Sequence, residues 1–361
     1  MVILRKIGGF FLLAPCLLAC APEFSERSSA VTAPRVLGVR SNPAEVLPGK
    51  SVSYQLLVGG VDGTAASPHA DWSYCTEPKA TNELNDVAPQ CFGEGDFVVP
   101  FGTGVAPTGT MPPNACAQFG PDVPQPSSGS GSDSSGNTIL QTQGRPTDAD
   151  STGGYYQPVI LDVQTGGTQI PTLAETRITC GLAGSTGAQF IEYNKRTKPN
   201  QNPQLSSVIA PSLENIELTP EDAAEPLAVS ATKILTLRAS WPACPSEPSC
   251  GDGMCSPGET IQDCPADCAK PVGCTGPEPF AYLDPQTHVL VDRHESMRVS
   301  WFATGGSFST DHTGRAQDEF TQTSSDNSWT APVEPGPVFM WVVLRDDRGG
   351  VDWRSFKLNV Q

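Results

Sequence analysis

The sequence predicts an all-β protein made of two tandem sandwiches, and three observations carry that reading. Apolar and polar residues alternate in short stretches. Val52, Tyr54, Leu56 and Val58 alternate with Ser53 and Gln55, and Leu235, Leu237, Ala239 and Trp241 share one face of KILTLRASW. Period-two alternation is the mark of a strand with one buried face. Charged residues are only 17 % of the chain, against ~25 % in an average globular protein, too few for a helical bundle or coiled coil. Finally, 35 glycines and 35 prolines supply abundant turns, yet together stay below the ~25–30 % typical of a disordered chain.

The 361 residues open with MVILRKIGGFFLLAPCLLAC. Arg5 and Lys6 precede an apolar run from Ile7 to Leu18, which at 1.5 Å per residue reaches about 18 Å, short of a ~30 Å bilayer core. It reads as a secretory signal over residues 1–19. The run closes in Leu17-Leu18-Ala19-Cys20, which resembles the lipobox of bacterial lipoproteins. The resemblance implies cleavage before Cys20, acylation of its thiol and new amine, and a membrane partner held through lipid. Residues 21 and 22 are Ala and Pro. No Asp follows the cysteine, so the expected address is the outer membrane or cell surface. No later run spans a bilayer, since the longest, Val338 to Leu344, has seven residues.

The formal net charge of −17 argues against nucleic acid as a partner, because phosphate binding needs Lys and Arg counter-charge. Residues 20–34 read as a lipidated polar tether. A first β domain is expected over 35–211, with a turn at Pro48-Gly49, a strand at ADWSYC carrying Trp72, and further strands at YYQPVILDV and TRITCGL. Residues 188–197 suit a short helix. A long insertion of about 78–153 includes the Ser/Gly tract 127–132. A second domain is expected over 212–361, interrupted by a cysteine-rich insertion at 242–276. It resumes at MRVSWFA with Trp301 and ends in VFMWVVLRD and VDWRSFKLNV, joined by a hairpin turn at Asp346-Asp347-Arg348-Gly349-Gly350. Both units begin with a Pro-containing lead-in, an alternating strand and then an aromatic strand; one irregular β domain is the alternative. The ending resembles the immunoglobulin-like domains of bacterial surface proteins over roughly 212–241 and 277–361. That resemblance implies a closing strand hairpin with a Trp between the sheets, although the antibody-type cysteine pair is missing.

Beyond Cys20, ten cysteines form the usable set: Cys75, Cys91, Cys116, Cys180, Cys244, Cys250, Cys255, Cys264, Cys268 and Cys274. An even count in an exported chain reads as disulfides. The expected bridges are Cys75–Cys91, Cys116–Cys180, Cys244–Cys274 and two among Cys250, Cys255, Cys264 and Cys268. Zinc is the rival for the Cys264/Cys268 spacing. The segment CGDGMCSPGETIQDCPADC resembles a short cysteine-rich repeat of secreted myxobacterial proteins, with Ile261 where a further Cys commonly stands. A segment with so little apolar content needs cross-links in place of burial.

Several motifs bear on chemistry. Asp252 and Glu259 match part of a calcium loop, and Asp148 and Asp150 begin like another, but both lack ligands at required positions. Residues 44–51 loosely match a phosphate loop, yet a strand follows where a helix is needed. His294-Glu295 starts like a zinc-protease helix, with Arg298 where His belongs. Tyr155, Tyr156, Trp329 and Trp353 suit either a sugar-stacking face or core packing. No catalytic residue and no cofactor other than calcium is expected. The resulting expectation is a non-catalytic cell-envelope lipoprotein displaying its β domains to a surface protein or polysaccharide. The alternatives are a calcium-dependent carbohydrate-binding module and a secreted hydrolase with a site inside residues 78–205.

Overall fold

The computed structural model describes residues 27–65, 68–78, 87–93, 95–120, 152–182, 185–244, 250, 263–268, 273–284 and 286–361, and the backbone of 131–132 and 138–139. The chain folds as two immunoglobulin-like sandwiches, each of two sheets.

In the first sandwich, Ser51–Gly60 pairs on one side with Arg35–Asn42 and on the other with Gly63–Thr64 and Thr108–Thr110. The facing sheet runs Glu45–Val46, Thr168–Ile178, Tyr156–Thr165, His69–Cys75, Val98–Thr103. Gly166 and Gly167, both at positive φ, turn the hairpin between Tyr156–Thr165 and Thr168–Ile178. The alternating side chains Val52, Tyr54 and Val58 meet Trp72, Tyr74, Val159, Leu161 and Val163 in the core.

The second sandwich repeats the plan. One sheet runs Ile216–Glu217, Ser207–Ala210, Ile234–Ser240, Ser324–Thr330, Ser307–Phe308. The other runs Leu227–Val229, Val351–Val360, Gly336–Asp346, Met297–Ala303, His312–Arg315. In both units a short strand pairs in parallel with the last strand, Glu45–Val46 on Thr168–Ile178 and Leu227–Val229 on Val351–Val360. In both, a fully buried tryptophan sits on the equivalent strand, Trp72 and Trp301, which is an immunoglobulin-fold hallmark.

The two sandwiches stack face on face. Leu37 and Leu57 on the outer side of the first sandwich pack against Phe302, Trp341, Val343 and Val351 on the outer side of the second, with Phe339 and Trp353 at the margin. The order of layers is therefore sheet, core, sheet, apolar seam, sheet, core, sheet. A Cβ at Gly59 would lie 3.4 Å from the Trp341 ring and 2.6 Å from Leu37, and one at Gly38 would lie 3.2 Å from Trp353. Bare backbone at these two points lets the indoles lie close. The Trp341 indole N–H donates to Thr64 Oγ1 at 2.8 Å, and Arg345 Nη2 donates to the Leu37 carbonyl at 2.7 Å.

Three boundaries differ from the sequence expectation. Ser207–Ala210 belongs to the second sandwich, pairing with Ile234–Ser240, so the division falls before residue 207 and not at 212. Val98–Thr103 and Thr108–Thr110, expected inside the insertion of about 78–153, are sandwich strands. Proline, glycine and threonine in VVPFGT and TGT hide their alternation. Lastly, residues 27–31 are no free tether. Val31 is fully buried in the seam, its N–H donates to the Ala303 carbonyl, and Ala303 N–H donates to the Ser29 carbonyl. Arg27 donates to the Phe308 carbonyl and Ser28 to Asp311. The short segment satisfies strand edges that would otherwise be open, a long-range pairing that local composition does not reveal.

Replacing Trp341 by Ala is expected to lower unfolding free energy by about 3–5 kcal/mol and to split the transition in two as the sandwiches uncouple. Denaturant titration followed by tryptophan fluorescence and far-UV circular dichroism checks both outcomes.

Candidate functional site

The disulfides place the loops. Cys75–Cys91 pins residues 87–92 over Ile160 and Leu173 on the outer face of the first sandwich. Cys116–Cys180 ties the helix Ala115–Phe119 to the chain just beyond Thr168–Ile178. Cys244–Cys274 closes the cysteine-rich insertion at its base, and Cys250–Cys264 lies within it. Cys264 is thereby a disulfide partner. Cys20, Cys255 and the calcium candidates Asp148, Asp150, Asp252 and Glu259 lie outside the described residues, and of Cys268 only the backbone is described, in the short helix Pro265–Cys268.

The aromatic residues that suit sugar stacking by sequence form no exposed face. Trp329 is fully buried and its indole N–H donates to the Gly305 carbonyl. Tyr155 packs against the first core. The Tyr156 hydroxyl accepts from Arg177 at 2.9 Å, and Trp353 lies beneath Arg40 at the seam. The four histidines are dispersed: His69 beside Asp71, His288 in a left-handed turn, His294 stacked on Phe320, and His312 hydrogen-bonded to Ser300. Residues 44–51 hold a short strand and a turn at Gly49, then pass directly into Ser51–Gly60 with no helix.

A cleft of about 690 Å³ opens at one edge of the first sandwich, where the chain crosses from Val98–Thr103 to Thr108–Thr110. Its floor is the half-buried Phe101 ring, which stacks on the buried Tyr74 ring at 4.2 Å between ring centres. Gly109 forms one wall, where a Cβ would meet the Phe101 ring and the Tyr74 hydroxyl, both at 2.7 Å. Thr76, Thr108, Asn114 and Gln118 supply polar groups at the rim, and none of the lining residues is Asp, Glu, Lys, Arg or His.

The second site is internal. Six ionisable side chains meet where the two sandwiches join the hairpin Pro279–Leu283/Leu290–His294 at the base of the insertion, and none is more than 7 % exposed. Arg348, in the closing hairpin turn, sits at the centre. Its Nη1 lies 3.3 Å from both Glu278 Oε2 and Glu295 Oε1, and its Nη2 lies 3.3 Å from Glu45 Oε2. Nη2 also donates to the Lys198 carbonyl at 2.9 Å, and the Phe280 ring lies 5.1 Å away. Glu45 Oε2 additionally accepts from Arg177 Nε at 3.2 Å and from Asn200 N–H at 2.9 Å. Asp346 Oδ1 accepts the Arg348 and Gly350 N–H groups at 2.9 and 2.7 Å, and Asn200 Nδ2 at 3.2 Å.

Burial sets the electrostatics. Desolvation pushes Glu278 up to about 7 against the pull of Arg348, and pushes Asp346 up to about 6. Glu295 is raised well above the carboxylate range by desolvation, with Asp346 and Glu278 adding repulsion. Burial and Arg177 disfavour charge on Arg348, but the acids Glu295, Glu278 and Glu45 outweigh them and it stays protonated. Sequence reading singled out none of these roles. The members come from separate stretches, so no spacing links them, and Arg348 read only as a turn residue. A polar, charged turn following seven apolar residues was the one available sign.

Removing the central cation leaves buried acids without a partner. Arg348→Met is expected to cost about 3–5 kcal/mol at neutral pH, measured by denaturant unfolding, and to cost less at pH 5, where the acids hold protons.

No protein-family model matches the sequence, and no curated protein matches it. Among solved structures, native alpha-2-macroglobulin of Escherichia coli aligns with 91 % of this chain and 17 % of its own, at 8 % identity and a TM-score of 0.20. Latent PorU of Porphyromonas gingivalis aligns with 92 % of this chain and 24 % of its own, at 8 % identity and a TM-score of 0.19. The Escherichia coli adhesin FdeC aligns with 92 % of this chain and 65 % of its own, at 10 % identity and a TM-score of 0.17. The chain thus spans less than a quarter of the macroglobulin and PorU chains. At these scores the likenesses carry no argument about activity.

Proposed function

We propose that the protein is a non-catalytic lipoprotein of the outer membrane or cell surface, which holds a rigid stack of β-sheets outside the cytoplasm for binding. The observation that carries the reading is the continuous four-sheet stack, closed by an apolar seam, with its loops pinned by disulfides. A rigid scaffold with irregular edges suits recognition through loops and clefts. Disulfides belong to an exported chain, in keeping with the signal and lipobox pattern ending at Cys20. Arg27 is docked on the second sandwich, and six residues lie between it and Cys20, a reach of at most ~25 Å. The lipid would therefore hold the second sandwich near the membrane.

The cleft on Tyr74 and Phe101 is the recognition surface in this reading. Its uncharged lining, in a chain of net charge −17, suits an uncharged polysaccharide with hydroxyls for Thr, Asn and Gln and an apolar ring face for Phe101.

Membrane fractions of cells expressing the full chain are expected to yield a mature protein whose first residue is an acylated Cys20, read by mass spectrometry. Cys20→Ser is expected to move the chain into the soluble fraction. An intact Met1, or unchanged membrane partition of the variant, overturns the anchor.

A further inference from the structure

The buried cluster has an unequal count of charges. Glu45, Glu278, Glu295 and Asp346 supply four carboxyls, while Arg177 and Arg348 supply two guanidiniums. The Lys198 ammonium acts on Glu278, but Lys198 is only half-buried. Asp347, beside the cluster, is engaged elsewhere and accepts from Ser296 and Gln317. A closed site cannot hold surplus negative charge at low cost. A cation is one remedy, but among the described residues no group of three His, Cys, Asp or Glu side chains converges to hold a metal. The other remedy is protons on the acids themselves. The geometry favours it: Glu278 and Glu295 share one Arg348 nitrogen at 3.3 Å each, and Glu295 also accepts the Glu278 N–H at 3.0 Å. Glu278 Oε1 and Asn200 Oδ1 are buried and without a hydrogen-bond partner.

We infer that this cluster is a proton lock: protonated Glu278 and Glu295 hold the base of the cysteine-rich insertion and the closing turn against the first sandwich, and their ionisation loosens that joint. The segments joined are the strand ends at Glu45 and Arg177, the linker at Lys198 and Asn200, the hairpin ends at Glu278 and Glu295, and the turn Asp346–Gly350. The sign follows from linkage. These carboxyls bind protons more tightly folded than unfolded, so their contribution is full in acid and is lost as pH rises through about 6 to 7 and beyond. At the seam Arg345, which donates to the Leu37 carbonyl, is lowered by burial only to about 10 and stays charged at pH 8.5, so loosening is confined to the joint while the stack persists. His294, next to Glu295, titrates in the opposite sense, because burial lowers it; comparison of variant with wild type at each pH removes its share.

The test is hydrogen-exchange mass spectrometry on the full chain at pH 5.5 and 8.5, with intrinsic exchange corrected for pH. Expected is a loss of protection at pH 8.5 confined to peptides covering 273–284, 290–296 and 346–350, with strand Gly336–Asp346 unchanged over 338–344. Glu278→Gln and Glu295→Gln, which imitate the neutral acid, are expected to keep protection at pH 8.5 and to flatten the fall in melting temperature between the two pH values. Asp346→Asn provides a third neutral variant should either fail to fold. Equal protection at both pH values in the wild type overturns the lock, as does a pH slope that the neutral variants leave unchanged. None of these readouts depends on lipidation or ligand binding.

Discussion

The structure depends on one contact, the apolar seam that fuses two sandwiches through their outer faces. A sandwich ordinarily buries one face of each sheet and leaves the other to water. Here the two inner sheets are covered on both sides, and Trp341 lies fully buried between them with Val343 and Leu57. This explains the run Val338 to Leu344, which is apolar at every position. Val338, Met340, Val342 and Leu344 face the second core, while Phe339, Trp341 and Val343 face the seam. A strand covered on both faces has no reason to alternate.

The same reasoning shows how much was legible beforehand. Stretches with one wet face, such as residues 51–55 and Ile234–Ser240, announced themselves by alternation, and Trp72 and Trp301 marked equivalent strands of two related units. The strand Val98–Thr103 carries no alternating signal because it lies at a sheet edge, with Pro100 in place of a hydrogen-bonding residue and few side chains directed inward. The docking of residues 27–31 has no local signal either, since its partners stand some 270 positions away. Of the internal site, the hairpin turn was legible and the charges were not. An arginine in a turn is ordinary; that Glu45, Glu278 and Glu295 converge on it is a property of the assembled stack.

Arg348 also constrains assembly. A guanidinium with 2 % exposure has its charge balanced only when acids from three distant segments arrive together. An arrangement with the insertion misplaced, or one sandwich rotated on the other, leaves it buried without partners, which is costly. The apolar seam supplies adhesion without direction, and the charged joint supplies the direction. Gly154, Gly273 and Gly350 make room for Arg177, Glu278 and Asp346 respectively, so the backbone itself is shaped around the ions.

The docked N-terminal strip has a mechanical consequence. Because Ser29 and Val31 pair with Ala303 before the chain enters the first sandwich, tension applied at the leading end is carried by the trailing unit, through hydrogen bonds pulled lengthwise. A load drawn at the cleft of the first sandwich reaches that point across the apolar seam. Completion of the strip must also wait until residues 297–303 have been synthesised, so residues 29–31 are among the last to find their place.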